Sequence, residues 1–352
     1  MSYLAFEDDE LDIMLDIINK MQICFHPRYA RDGHFSIHDI FDLQSDSNDI
    51  LIIADKNIVS PICEIAATGS LKNQERMQKV AFFITWSKFI NARVTCGLGL
   101  LENDTSGLCS TNGEAQRQQF LHAVDSIPAM MWKNLAFGYI DRIPELYLYK
   151  GEKTEKTEYV LNDDLLLLTC EAAIIKIVEI LKSSSSKPID RFISFMNWYT
   201  DNLDIADSIV AYAAMVFTNA EHVSLPKKSM SPCYEEVYKG ILNQSWDITY
   251  IVTWSQQYYK ESNGQCWMFA TDDITQKAIV VNTIPPGEIS NAICAAFPTR
   301  AEIKKLEEFE SAKLGNARVR PFQGMSEEEK ITAVKQLITQ EQETLKKMCV
   351  KE

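Results

Sequence analysis

Four carboxylates hold positions from which they could work together. Asp55 ends the apolar run Ile50-Leu51-Ile52-Ile53-Ala54, and the Asp272-Asp273 pair follows a shorter run from Cys266 to Ala270. Runs of this kind, bounded by polar residues, belong to strands buried on both faces of a parallel sheet. The carboxyl ends of such strands share one edge, where sites form, so acids far apart in sequence can meet there. Glu102, after Gly97-Leu98-Gly99-Leu100-Leu101, and Asp247, at the expected start of a helix bearing Ile248, Ile251, Val252 and Tyr259, have matching settings. Clustered carboxylates raise one another's pKa, and a divalent cation relieves the repulsion. Oxygen ligands without His or Cys suit Mg2+ or Mn2+, and two such ions about 3.5–4 Å apart activate a water and stabilise the leaving oxygen of a phosphodiester.

The elements that must position these acids follow from periodicity. Residues 7–22 carry Leu11, Met14, Leu15, Ile18 and Met21 on one helical stripe, with acids behind it. After the strand ending at Ala54, Ile58, Ile62, Ile65 and Ala66 predict a helix with Pro61 in its first turn, and a second helix is expected at 73–91. A strand is then expected at the start of RVTCGLGLLE, from which the chain runs to Glu102. Helical periodicity dominates to about residue 240, best over 163–181 and 190–217, with SSSSKP between them as a connector. Ser245 is the expected cap of the next helix, and Cys266–Ala270 and Ala278–Val281 read as short strands. Capping-box spacing at Thr299 with Glu302 and at Ser326 with Glu329 starts the helices of the tail. The economical architecture is one α/β domain, a parallel sheet with flanking helices, split by a large helical insertion. Its expected bounds are an N-terminal helical segment 1–47, the split domain 48–102 with 241–295, the insertion 103–240 and a charged helical tail 296–352.

Four segments in order, IIADKNIV (52–59), GLGLLE (97–102), SWDITYIVTW (245–254) and MFATDDITQKAI (268–279), resemble the motifs of PIN-like nucleases. The resemblance implies a PIN-like α/β fold and a Mg2+ or Mn2+ site held by Asp55, Glu102, Asp247 and Asp273. Asn57 and Thr271 would support the site, with Asp272 as the variable middle residue. It further implies a metal-dependent endonuclease, a ribonuclease ahead of a structure-selective DNA nuclease, such as occurs in toxin–antitoxin and phage-defence systems. The long insertion departs from the compact family pattern, so Glu114, Asp204 or Asp207 could take the place of Glu102.

Every one of these acids also has a structural reading. Asp55, Asp247 and the Thr271-Asp272-Asp273 run could each cap a helix or close an Asx turn. A non-catalytic interaction protein on the same scaffold is therefore the alternative. His34 and His38 lack a third ligand, and Phe192, Phe195, Trp198, Tyr199 and Tyr212 have core spacing rather than that of a base-stacking platform. Trp246 is expected to pack under the site. The tail places Ile331, Val334, Ile338, Leu345 and Met348 near heptad a and d positions, interrupted by Glu341, for a partner helix or for its own domain. A protein partner could also use the helical insertion.

Composition bounds these readings. Thirty-five basic against 49 acidic residues give a net charge of −14, which opposes nucleic-acid binding by bulk electrostatics and confines it to a local channel. Lys227, Lys228, Arg318 and Arg320 are the basic residues set aside as solvated surface. Nine Cys without a C-x-x-C pair and five His without ligand spacing disfavour disulfides and structural zinc. No apolar run is long enough to span a membrane and the N-terminus lacks a signal pattern, so a cytoplasmic location is expected.

Overall fold

The computed structural model describes residues 4–7, 9–105, 113–151, 164–183, 185–262, 264–283, 289–313 and 320–349. The chain divides into two units, Met1–Leu161 with Trp254–Asp273, and Asn162–Thr253 with Ile274–Glu352. The boundaries differ from those expected. The N-terminal segment and the helices up to residue 161 belong to the sheet-bearing unit, and most of the expected insertion forms the other unit with the tail.

The first unit contains α1 (Glu10–Met21), β1 (Cys24–Phe25), α2 (Ile37–Asp46), β2 (Asp49–Ala54), α3 (Lys56–Thr68) and α4 (Gln74–Phe89). β3 (Ala92–Thr95), α5 (Gly97–Thr105), α6 (Gly113–Leu121), α7 (Ala129–Ala136) and β4 (Gln265–Ala270) complete it. The sheet order is β1-β4-β2-β3. β2 pairs in parallel with β3 and β4, from Ile50 opposite Ala92 and from Asp49 opposite Gln265. β1 runs antiparallel to β4, so the sheet is mixed rather than wholly parallel. The fold is mixed α/β, as the recurring strand and helix pattern implies.

The central strand is hydrophobic because both its faces are covered. Ile50, Ile52, Val59, Ile62, Phe83, Trp86 and Met268 share one buried cluster. Burying each such large side chain contributes about 1.5–3 kcal/mol before the entropy of ordering it. α3 begins with Asp55 as its N-cap and ends at Gly69, in the left-handed region at φ 87°. A Cβ at Gly69 would meet the Ile143 carbonyl oxygen at 2.8 Å, so only glycine closes the helix there.

Three local expectations need correction in this unit. Pro61 lies inside α3, beyond its first turn, where it has no N–H to give the Asn57 carbonyl four residues back. That carbonyl is taken by Arg76, whose Nη2 donates to it at 3.3 Å. The GLGLLE segment is helical in α5: β3 ends at Thr95 and the helix starts at Gly97, before the leucines. Glu102 therefore sits on a helix and not at a strand end.

The second unit is all helical among the described residues. α8 (Leu165–Ser183), α9 (Pro188–Asn202), α10 (Asp207–Thr218) and α11 (Tyr234–Tyr258, counted here to Thr253) come first. α12 (Ile274–Thr283), α13 (Ile289–Ala296), α14 (Arg300–Lys313) and α15 (Glu327–Cys349) follow. The apolar stretch 190–217 is two helices rather than one, broken at Leu203, whose extended backbone stops α9. Ser245 is no cap: it is buried within α11 and its Oγ donates to the Ile241 carbonyl at 2.8 Å. Ala278–Val281 is helical in α12 rather than a strand, since a short apolar run fits either element and the helix-forming residues around it prevail.

The aromatic residues of α9 and α10 are core, with Phe192, Phe195, Tyr199 and Tyr212 buried. Both predicted capping boxes form, Thr299 with Glu302 and Ser326 with Glu329. The stripe of α15, with Val334, Ile338 and Leu345 buried, packs on α8 of its own unit, which takes up the face a partner helix would have used. Glu341, which interrupts that stripe, is buried and satisfied: Lys176 Nζ approaches it at 2.8 Å and Trp198 Nε1 donates to it at 2.8 Å. Among the described residues no helix is long and apolar enough to cross a membrane.

Candidate functional site at the carboxyl edge of the sheet

The register of β2 and β4 builds the site. Ala54 lies opposite Ala270, so the next residues, Asp55 and Thr271, emerge side by side at the carboxyl edge. The Asp55 N–H still donates to the Ala270 carbonyl at 3.0 Å, and the Thr271 N–H to Ile23 at 2.9 Å. Both backbones are thereby fixed before either side chain acts.

Asp55 is buried, at 1% exposure, and its carboxylate accepts three hydrogen bonds. Oδ1 accepts from the Ile58 N–H at 3.0 Å, while Oδ2 accepts from Thr271 Oγ1 at 2.7 Å and from Asn57 Nδ2 at 3.3 Å. Burial, helped by the charge of Asp273, pushes this carboxyl up to about 7 against the pull of those three donors. Asp273 is half-buried, and its N–H donates to Thr271 Oγ1 at 2.9 Å. Thr271 thus joins the Asp55 carboxylate to the Asp273 backbone, and Asp272 is exposed. The cap role foreseen for Asp55 is real, and the same atoms join it to Thr271, Asn57 and Asp273.

Glu102 is held differently. Its Oε1 lies 3.3 Å from Lys56 Nζ, on the first turn of α3. Asp55, Glu102 and Asp273 do not bring three oxygens within 4.8 Å of one another. Asp247 belongs to the second unit, within α11, where it accepts from Gln276 Nε2 at 2.9 Å. Trp246 is buried in that unit too. Of the possible substitutes for Glu102, Asp204 and Asp207 lie in the second unit, and the side chain of Glu114 is outside the described residues, as is Arg318. Lys228 pairs with Glu236.

One cluster carried no sequence signal. His26 Nε2, a Glu261 carboxylate oxygen and the Cys266 sulfur lie within 4.8 Å of one another, beside an open cleft of about 640 Å3 at the amino ends of β2 and β4. The three residues are scattered in sequence and only the β1–β4 pairing unites them. Their hydrogen bonds argue against a metal centre. His26 Nδ1 accepts from the Arg28 and Tyr29 N–H groups at 3.1 and 3.4 Å. It therefore carries no proton, and the proton sits on Nε2, which donates to Glu261 Oε1 at 3.2 Å. The ring nitrogen that would bind a cation is thus the protonated one. Burial also pushes the Cys266 thiol well above its ordinary range, away from the thiolate a metal needs. The cluster ties β1 to the start of β4, where Glu261 also accepts from the Trp267 N–H at 2.5 Å. His34 is likewise no ligand, its ring lying against Gln22 Nε2 and Asp32.

Comparisons with family models, with curated proteins and with solved structures find no match to this chain.

Proposed function

We propose that the first unit carries a PIN-like, divalent-cation-dependent nuclease site in which Asp55 and Asp273 are the cation ligands. The observation that carries the proposal is the pairing of a fully buried strand-end carboxylate, Asp55, with Asp273 through Thr271 at the carboxyl edge of neighbouring parallel strands. The donor set fits the group. It is all oxygen, which suits Mg2+ or Mn2+, and three donors occupy three of the roughly four lone-pair positions of the Asp55 carboxylate, leaving one for a cation. A buried anion beside a second anion is also one that a cation would stabilise.

A bound divalent cation would supply charge stabilisation and an activated water for phosphodiester hydrolysis. The chain's own residues set the geometry. The Thr271 hydroxyl donates to Asp55 and accepts from the Asp273 N–H, fixing the Asp55 carboxylate and the Asp273 backbone, and Asn57 also donates to Asp55 Oδ2. The strongly negative chain restricts nucleic-acid binding to a local channel, and the resemblance implies RNA ahead of DNA as the substrate. The resemblance alone names Glu102 and Asp247 as ligands, and neither is part of this ligand set.

The second reading is an interaction protein in which Asp55 only caps α3 and ties β2 to β4. The three hydrogen bonds that its buried carboxylate already accepts within the fold favour this reading. Cleavage of labelled single-stranded RNA and DNA with Mg2+ or Mn2+ separates the two. The nuclease reading expects cutting that EDTA, Asp55→Asn and Asp273→Asn each abolish in folded protein. Absence of both cutting and cation binding would leave the interaction protein.

A further inference from the structure

We infer that Lys56 contacts a substrate phosphate at this edge and that Glu102 is its positioning residue rather than a cation ligand, an inference that rests on the site reading above. Lys56 directly follows Asp55 and opens α3. A cation on the first turn faces the positive end of the helix dipole, a setting that disfavours it by about 0.3–1 kcal/mol, so a partner is needed to keep it there. Glu102 is that partner, at 3.3 Å, with its side chain only 10% exposed while that of Lys56 is 27% exposed. The carboxylate is buried behind the ammonium, and the ammonium reaches solvent.

The sequence builds this pair through Gly99. A Cβ there would lie 3.0 Å from Val59 Cγ2 and 3.5 Å from Lys56 Cα, so the missing side chain lets α5 approach the first turns of α3. Glu102 stands three residues on, on the same face of α5, which carries its carboxylate over Lys56. Across the same turn, Arg76 reaches the Asn57 carbonyl that Pro61 leaves without an intrahelical partner. Two cations therefore flank the Asp55 end of α3 in a chain whose net charge is −14. An anionic substrate approaching an edge that also holds Asp272 and Asp273 needs a local cation, and the solvent-reaching ammonium of Lys56 supplies one beside Asp55.

Two titrations on the full chain test this. In calorimetry with Mn2+, Lys56→Met and Glu102→Gln should keep the native Kd within about threefold, whereas Asp55→Asn abolishes binding; a ligand carboxylate lost at position 102 would cost tenfold or more. In anisotropy with a short single-stranded RNA and Ca2+, Lys56→Met should lower the slope of log K against log salt by about 0.7, the value of one phosphate contact on a single strand. Lys56→Arg should restore the slope, which a merely structural lysine would not do. Loss of Mn2+ binding in Glu102→Gln, or an unchanged salt slope in Lys56→Met, overturns the inference. A native chain that takes up no Mn2+ instead overturns the parent reading, and this one with it.

Discussion

Replacing Asp55 by Asn should make the first unit more stable at alkaline pH, and the gain can be worked out. A carboxyl that titrates at about 7 rather than 3.8 favours its protonated form by about 4 kcal/mol, through burial first. Between these values the folded protein keeps a proton that the unfolded chain has lost. The contribution of Asp55 to stability is therefore full below 3.8 and is lost as the pH rises to about 7. Of that, roughly 2–3 kcal/mol disappears between about pH 5 and pH 8. Asn does not titrate, so the variant lacks this pH-dependent loss, and the effect of its amide on the contacts with Ile58, Asn57 and Thr271 is the same at every pH. At about 2–4 °C per kcal/mol for a unit of this size, the difference in Tm between Asp55→Asn and native protein should move by roughly 5–10 °C in favour of the variant over that pH range. Calorimetry measures it, with hydrogen exchange of β2 and β4 peptides assigning the transition to this unit. A difference in Tm that stays constant with pH would refute the reasoning, because Asp55 would then ionise alike in the folded and unfolded chain.

Other perturbations probe the packing around it. Thr271→Val strips Asp55 and the Asp273 N–H of a buried partner and should cost about 2–4 kcal/mol by chemical denaturation, against well under 1 kcal/mol if the hydroxyl were idle. Gly99→Ala should cost about 1–3 kcal/mol, because its methyl would meet Val59 at 3.0 Å; unchanged stability would show that α5 shifts freely. In the second unit, Lys176 lies between Glu179 and Glu341, and burial, with Glu341 alongside, raises the Glu179 carboxyl. Lys176→Met should therefore destabilise by about 3–5 kcal/mol at a pH where both carboxylates are ionised, and by less in acid, where they accept protons; equal losses at both would contradict the cluster.

Sequence periodicity reached the central strand, the helices on either side of it and the capping boxes, because each depends on local chemistry. It failed where tertiary contacts decide. GLGLLE and Ala278–Val281 are short apolar runs that fit helix or strand, and packing of α5 through Gly99 and of α12 in its own unit resolved them as helices. Asp55, Asn57, Thr271 and Asp273 were legible as a group because they sit at strand ends whose register brings them together. The pairing of Glu102 with Lys56 was not legible, since nothing in either segment marks the approach of the two helices. The His26, Glu261 and Cys266 knot was hidden for a related reason: its members meet only through the antiparallel pairing of β1 with β4.

Calorimetric titration of the native chain with Mn2+, beside Asp55→Asn and Asp273→Asn, tests the central claim most directly. The account predicts saturable binding in the native protein that either substitution removes while circular dichroism shows the fold intact. Binding that survives both substitutions, or no binding in the native chain, would contradict it.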